Sequence, residues 1–226
     1  MSRFKTGFLS LLLLLLPGLL QAVSLDPVCV ATRPNVDVGC AIGESQFRID
    51  VSQSAADEVT FTFANIGPEA SVVLPHIYFF GDGYFSGLNA IESGSVGRVD
   101  LMEGLARPGT LHPAKRDPAY DFGISGPATV SGINAGTEAV HESLAIRFAL
   151  AVDYTSLLLG LESADLQVGL FGRYFPETRG GLGFLTMETD GLVPPAAVPV
   201  PGALLLFGSG LVGLAAAARR RLSAQH

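Results

Sequence analysis

The chain has 226 residues, 48% hydrophobic and 15% charged, with a formal net charge of −7, two cysteines and no tryptophan. Residues 23–193, left once two apolar ends are set aside, hold all 21 acidic residues but nine of the 14 basic ones, a charge of −12. Such a surface repels nucleic acid and anionic lipid and excludes nucleic-acid binding as the task of this segment. About 170 residues make one ordinary domain with a core of its own.

In chain order, Arg3 and Lys5 precede an apolar stretch from Phe8 to Leu20, and Leu20-Gln21-Ala22 ends on a small residue. That is the order of a secretory signal peptide, predicted here as a signal helix over residues 1–22 with cleavage after Ala22. Left uncut, the same stretch is a signal anchor, and both readings export the chain. Export places Cys29 and Cys40 in an oxidising compartment, where a disulfide between them persists. Closing a loop of about 12 residues stabilises by about 3 kcal/mol in the chain-entropy model. The competing reading, a metal site, needs further ligands at spacings the neighbourhood lacks.

Period-two patterns then recur and predict strands at Gln46–Val51, Glu58–Ala64, His76–Phe80, Val96–Leu101, Leu144–Val152, Leu166–Phe171 and Gly183–Glu188. The clearest puts Leu144, Ile146, Phe148 and Leu150 on a core face with Arg147 pointing out. Turn-favouring stretches separate the runs: Asn65-Ile66-Gly67-Pro68, Gly81-Asp82-Gly83, Arg107-Pro108-Gly109, Asp117-Pro118 and Gly126-Pro127. Residues 153–165, with Asp153 and Thr155 ahead of Leu157, Leu158 and Leu161, predict one short helix. Residues 107–137 predict a long loop. No fixed-period repeat is present, which argues against solenoids and propellers. The expectation is an all-β domain over residues 23–193, an antiparallel β-sandwich of jelly-roll-like or Ig-like kind with one short helix.

The chemistry-bearing residues form no recognisable constellation. His76, His112 and His141 lack metal-ligand spacings. Ser95 lacks the glycine two positions earlier that a nucleophile elbow has, since Ser93 stands there. Asp82, between two glycines and ahead of Tyr84 and Phe85, suits a turn between strands, with a ligand loop or calcium contribution as the alternative; a calcium loop needs several oxygen ligands, and Asp82 stands alone. The same holds for Tyr120 between Asp117 and Asp121. With no tryptophan, a sugar platform would rest on Tyr78, Tyr84, Tyr120, Tyr154 and Tyr174. The expectation is a noncatalytic protein with no catalytic residue, no cofactor and no metal site.

The end of the chain carries the most specific signal. After a linker from residue 194, Val198-Pro199-Val200-Pro201 leads into Gly202–Ala218, 17 residues without charge, and then Arg219-Arg220-Arg221. As a helix at 1.5 Å per residue the apolar run spans about 25 Å against a hydrocarbon core of about 30 Å, so it crosses with local thinning or snorkelling ends. The arginines form a transmembrane stop that stays cytoplasmic, within a basic tail of residues 219–226, and the body lies outside. Pro199 and Pro201 keep the segment before the helix extended, open to a protease. Gly208, Ser209, Gly210 and Gly213 offer a small-residue packing face. A tail-anchoring or buried helix without processing is the plainer alternative.

This Val-Pro-Val-Pro motif, hydrophobic helix and arginine cluster resemble the PEP-CTERM type of sorting domain in its VPxP-containing variant, with no Pro-Glu-Pro glutamate. The resemblance covers about residues 196–222 and implies an exosortase-like membrane protease as partner. Val59–Pro68, Ile77–Phe80 and Glu142–Ile146 are similar in character to the β-rich extracellular domains that accompany such tails. Together these imply an exported cell-surface or matrix protein, membrane-anchored through its C-terminal helix before reaching the surface or exterior. A polysaccharide-binding module, with exopolysaccharide or matrix as partner, and a secreted carbohydrate-active hydrolase are the alternatives.

Overall fold

The computed structural model describes residues 22–31, 34–97, 99–104, 122–126, 132–135, 141–178 and 180–187. Among them are twelve strands: β1 (Ala22–Leu25), β2 (Pro27–Cys29), β3 (Phe47–Ala55), β4 (Glu58–Asn65), β5 (Val73–Phe80), β6 (Phe85–Ser93), β7 (Met102–Glu103), β8 (Phe122–Ser125), β9 (Ile133–Asn134), β10 (Ser143–Leu150), β11 (Gln167–Arg173) and β12 (Leu182–Thr186). Two helices accompany them, α1 (Asp37–Gln46) and α2 (Tyr154–Glu162). The mostly-β antiparallel expectation holds, with corrections, among them an unpredicted strand β6. A second helix, α1, stands where one was expected in all, and the predicted loop at 107–137 contains β8 and β9. Predicted strand Val96–Leu101 is irregular where it is described, with Val99 and Leu101 buried as apolar anchors.

The first sheet runs β1-β3-β4-β10-β6 and the second β2-β12-β11-β5-β8-β7, with β9 paired to β5, and every pairing is antiparallel. Alternation builds the first sheet: Phe47, Ile49 and Val51, then Val59, Phe61 and Phe63, then Leu144, Ile146 and Phe148 point to one face and are at most 3% exposed. Leu150 is half-buried. Aromatic rings join this face to the second sheet from one side to the other. Phe47 meets Phe184 edge-on at 5.4 Å, Phe61 meets Phe79 at 5.1 Å, and Phe85 meets Phe122 at 6.0 Å. Edge-to-face geometry is what the ring quadrupole favours.

Of the consecutive-strand steps that cross between the two sheets, two run side by side. The chain passes from β4 to β5 and, through α2, from β10 to β11, and β4 neighbours β10 while β5 neighbours β11. The first is pinned by two polar side chains with no exposed surface, Asn65 and Gln46. Asn65 Nδ2 donates to the Val72 and Ile133 carbonyls at 2.9 and 3.2 Å, and Gln46 Nε2 to the Glu69 carbonyl at 3.0 Å. The second crossing is the helix expected from Asp153, whose carboxylate accepts from the Ser156 backbone N–H at 2.9 Å as an N-cap.

Candidate functional site

The two cysteines meet. Helix α1 carries Gly39 and Gly43 one turn apart, and both are buried against β12. A Cβ on Gly43 would lie 2.1 Å from Cζ of Phe184, and one on Gly39 2.7 Å from Cδ1 of Leu182. Only bare backbone lets the helix sit this close to the sheet. That seat sets Cys40 beside Cys29 at the end of β2, with sulfurs 2.07 Å and Cα atoms 5.4 Å apart, at bonding distance. Glu44, one turn further along α1, accepts from the Cys29 N–H at 2.8 Å. Ala22, the expected cleavage point, is the first residue of β1 and pairs with Ser52. Val198, Pro199, Val200 and Pro201, the helix at 202–218 and Arg219, Arg220 and Arg221 lie outside the described residues.

The outer face of the first sheet is polar. Ser54 Oγ and Asn89 Nδ2 each donate to Glu58, one to each carboxylate oxygen, both at 2.8 Å, and Thr60 Oγ1 donates to Ser54 Oγ at 3.0 Å. Asn89 reaches Glu58 because the β6–β10 register slips: Arg147 pairs with Ala90 but Phe148 with Leu88, leaving Asn89 as the extra residue of a bulge. Small Ala149, opposite Glu58 on the intervening strand, leaves the path clear. The Asn89 amide, and then the Ser54 hydroxyl, hold the Glu58 carboxyl below its ordinary range. A carboxylate so held stays ionised at neutral pH and serves as a hydrogen-bond acceptor, not as a proton donor. Arg147 pairs with Glu92 on one side of this face, and Arg48 with Asp50 at 3.0 Å on the other. Thr62 and Ala145 lie in register between Asp50 and Glu92 and form a low floor.

The second sheet differs. Tyr78, Phe80, Phe171 and Leu185 form a separate apolar cluster on its outer side, all under a tenth exposed. Tyr78 stacks with Phe80 at 6.2 Å, His76 lies 5.6 Å from the Phe171 ring, and the Arg173 guanidinium sits 5.6 Å above that ring. The tyrosines do not gather into an exposed row among the described residues. Tyr78 and Tyr154 are buried, Tyr84 is half-buried beside Gly160, and Tyr174 is exposed. Tyr120 and His112 lie outside the described residues. Asp82 is exposed in the turn between β5 and β6, and Ser95 is exposed on a bend. No group of three or more His, Cys, Asp or Glu side chains fit to hold a metal ion occurs among the described residues. Burial raises the Tyr154 phenol above its ordinary value, and its hydroxyl donates to the Val51 carbonyl at 3.3 Å.

No family model, curated protein or solved structure matches the chain.

Proposed function

We propose that the chain is an exported, noncatalytic protein of the cell surface or extracellular matrix whose β-sandwich, jelly-roll-like or Ig-like in kind, does structural or adhesive work. The observation that carries this reading is the Cys29–Cys40 pair at bonding distance, close behind the expected cleavage point in sequence. A disulfide persists in oxidising compartments, the destination that the N-terminal segment implies. In this reading residues 1–22 export the chain, residues 202–218 hold it in the membrane with Arg219–Arg221 inside, and an exosortase-like protease cuts near Val198–Pro201.

The test is the intact mass of the protein from its native envelope fraction, for wild type and for the Pro199→Ala, Pro201→Ala double variant. The expected result is loss of both ends in wild type, and in the variant an exported protein that retains its C-terminal segment. Equal processing of the two would refute the role given to the motif. A C-terminal segment retained in wild type would refute the exosortase reading. A second reading, binding of a hydroxyl-rich polysaccharide, draws support from the outer face of the first sheet, where Glu58, Asn89, Arg147 and Glu92 present fixed acceptors and donors. Retention on the producer's own matrix, lost in Arg147→Ala, would carry it; no retention of the wild type would sink it.

A further inference from the structure

We propose that residues 23–29 form a clasp locked by the Cys29–Cys40 bond, and that a dithiol reductant opens it so that the same segment of a second copy of the chain docks in its place. Within seven residues this segment supplies one outermost strand to each sheet. Strand β1 borders the first sheet, paired with β3 from Val23 opposite Val51 to Leu25 opposite Ile49. Strand β2 borders the second, paired with β12 from Pro27 opposite Thr186 to Cys29 opposite Phe184. Exposed Asp26 is the single residue between them. The Phe47–Phe184 contact shows that β3 and β12 face each other. The clasp therefore covers the same side of both layers.

Its noncovalent hold is narrow. Leu25, at 2% exposure, and Pro27 are the side chains driven fully inward; Val23 and Cys29 are half-buried, while Ser24, Asp26 and Val28 face solvent. Terminal strands with so few inserted side chains belong to the low-stability end of a fold. The covalent hold is strong by contrast, because Cys40 sits on a helix wedged onto Phe184 and Leu182 through Gly39 and Gly43. Both cysteines are half-buried, not sealed in the core. Reduction transfers two electrons and two protons from the dithiol to the sulfur pair. The S–S bond becomes two thiols, and the dithiol closes to its own disulfide. Once β1 and β2 leave, the unpaired edges of β3 and β12 and the vacated Leu25 socket select an extended strand of this same sequence. A neighbouring copy supplies it at little cost, since every contact of the closed form is remade between chains.

The test uses the exported protein and its full-length variants. Hydrogen exchange with and without dithiothreitol should show at least tenfold faster exchange in peptides spanning 23–30, 47–53 and 182–187, with 58–65 and 143–150 unchanged. No change at 23–30, or loss of protection throughout, would overturn the clasp. Exchange between copies is read by mixing Cys29→Ser with Cys40→Ser protein and oxidising with glutathione disulfide. A disulfide-linked dimer yielding a Cys29–Cys40 peptide is expected from the mixture and from neither variant alone. Its absence would overturn the second half of the proposal. If either variant fails to fold, isotope-labelled and unlabelled wild type, reduced together and reoxidised, replaces the pair, and mixed-isotope Cys29–Cys40 peptides are the expected product.

Discussion

Replacing Gly43 with alanine sets two effects of opposite sign against each other. In an exposed helix the change would stabilise by about 1 kcal/mol, because alanine loses less backbone entropy. Here the new methyl would lie 2.1 Å from Cζ and 2.5 Å from Cε1 of Phe184, a ring with no exposed surface. Ordinary carbon contacts need roughly 3.5–4 Å, so ring or helix must give by more than an ångström. The ring is held by Phe47 at 5.4 Å and Phe175 at 5.8 Å. Overpacking of this kind costs about 1–3 kcal/mol, and so tight a contact belongs at the upper end. The expected net loss is about 1–2 kcal/mol, read from urea unfolding of the oxidised domain. Phe184→Leu should make room for the methyl. The double variant should then be less destabilised than the two single losses summed, by at least about 1 kcal/mol of coupling. A stabilised Gly43→Ala, or strict additivity, would refute the claim that bare backbone seats α1 on β12.

Phe79 meets Phe61, Phe63, Phe85 and Phe148 at centroid distances of 4.8–6.1 Å, and Phe79→Ala should lower stability by about 3–5 kcal/mol in the same assay; a loss below about 1.5 kcal/mol would show that the rings repack. Because the Glu58 carboxyl is lowered in the folded state, first by Asn89 and then by Ser54, its contribution is present above the unfolded carboxyl range and fades as pH falls through the folded value. Urea midpoints between roughly pH 5 and pH 3 should therefore fall more steeply for wild type than for Glu58→Gln, and parallel profiles would count against the bulge-directed bond. The buried Tyr154 phenol is raised instead, so its share of stability is present below the unfolded value of about pH 10 and is lost as pH rises beyond it. Tyr154→Phe should flatten the alkaline limb of the stability profile, and an unchanged limb would assign the loss to other groups.

Strands β4 and β10 were legible because one face is dry and the other wet, so apolar and polar residues alternate without a break. Helix α2 was legible from Asp153 and the leucines behind it. Helix α1 was not: Gly39 and Gly43 depress helix propensity, and the close approach that repays this involves β12, far along the chain. Strand β6 hid behind Gly87, Asn89 and two register slips that spoil its alternation. In β5, Tyr78 and Phe80 face one way and Ile77 and Phe79 the other, all buried, so the sequence marks a strand without saying which face is the core. The cysteine pairing followed from the count of two and from the export that the N-terminal segment leads one to expect. The Glu58–Asn89 contact could not, because it depends on which residue the bulge ejects. Alternation over Glu58, Thr60 and Thr62 was the available sign of a polar face.

The pairing of β2 with β12 has a consequence in time. A chain made and delivered from its N-terminus presents Pro27–Cys29 early, yet the partner of Cys29 is Phe184, 155 residues later. Among the described strands the second is completed by the twelfth, so the second sheet stays open on that border until almost the whole domain has emerged. Pairings this distant in sequence form slowly. Cys40, by contrast, arrives only 11 residues behind Cys29. The sulfur bond can therefore close while the sheet is unfinished and keep the early strand at its post until the late one comes alongside.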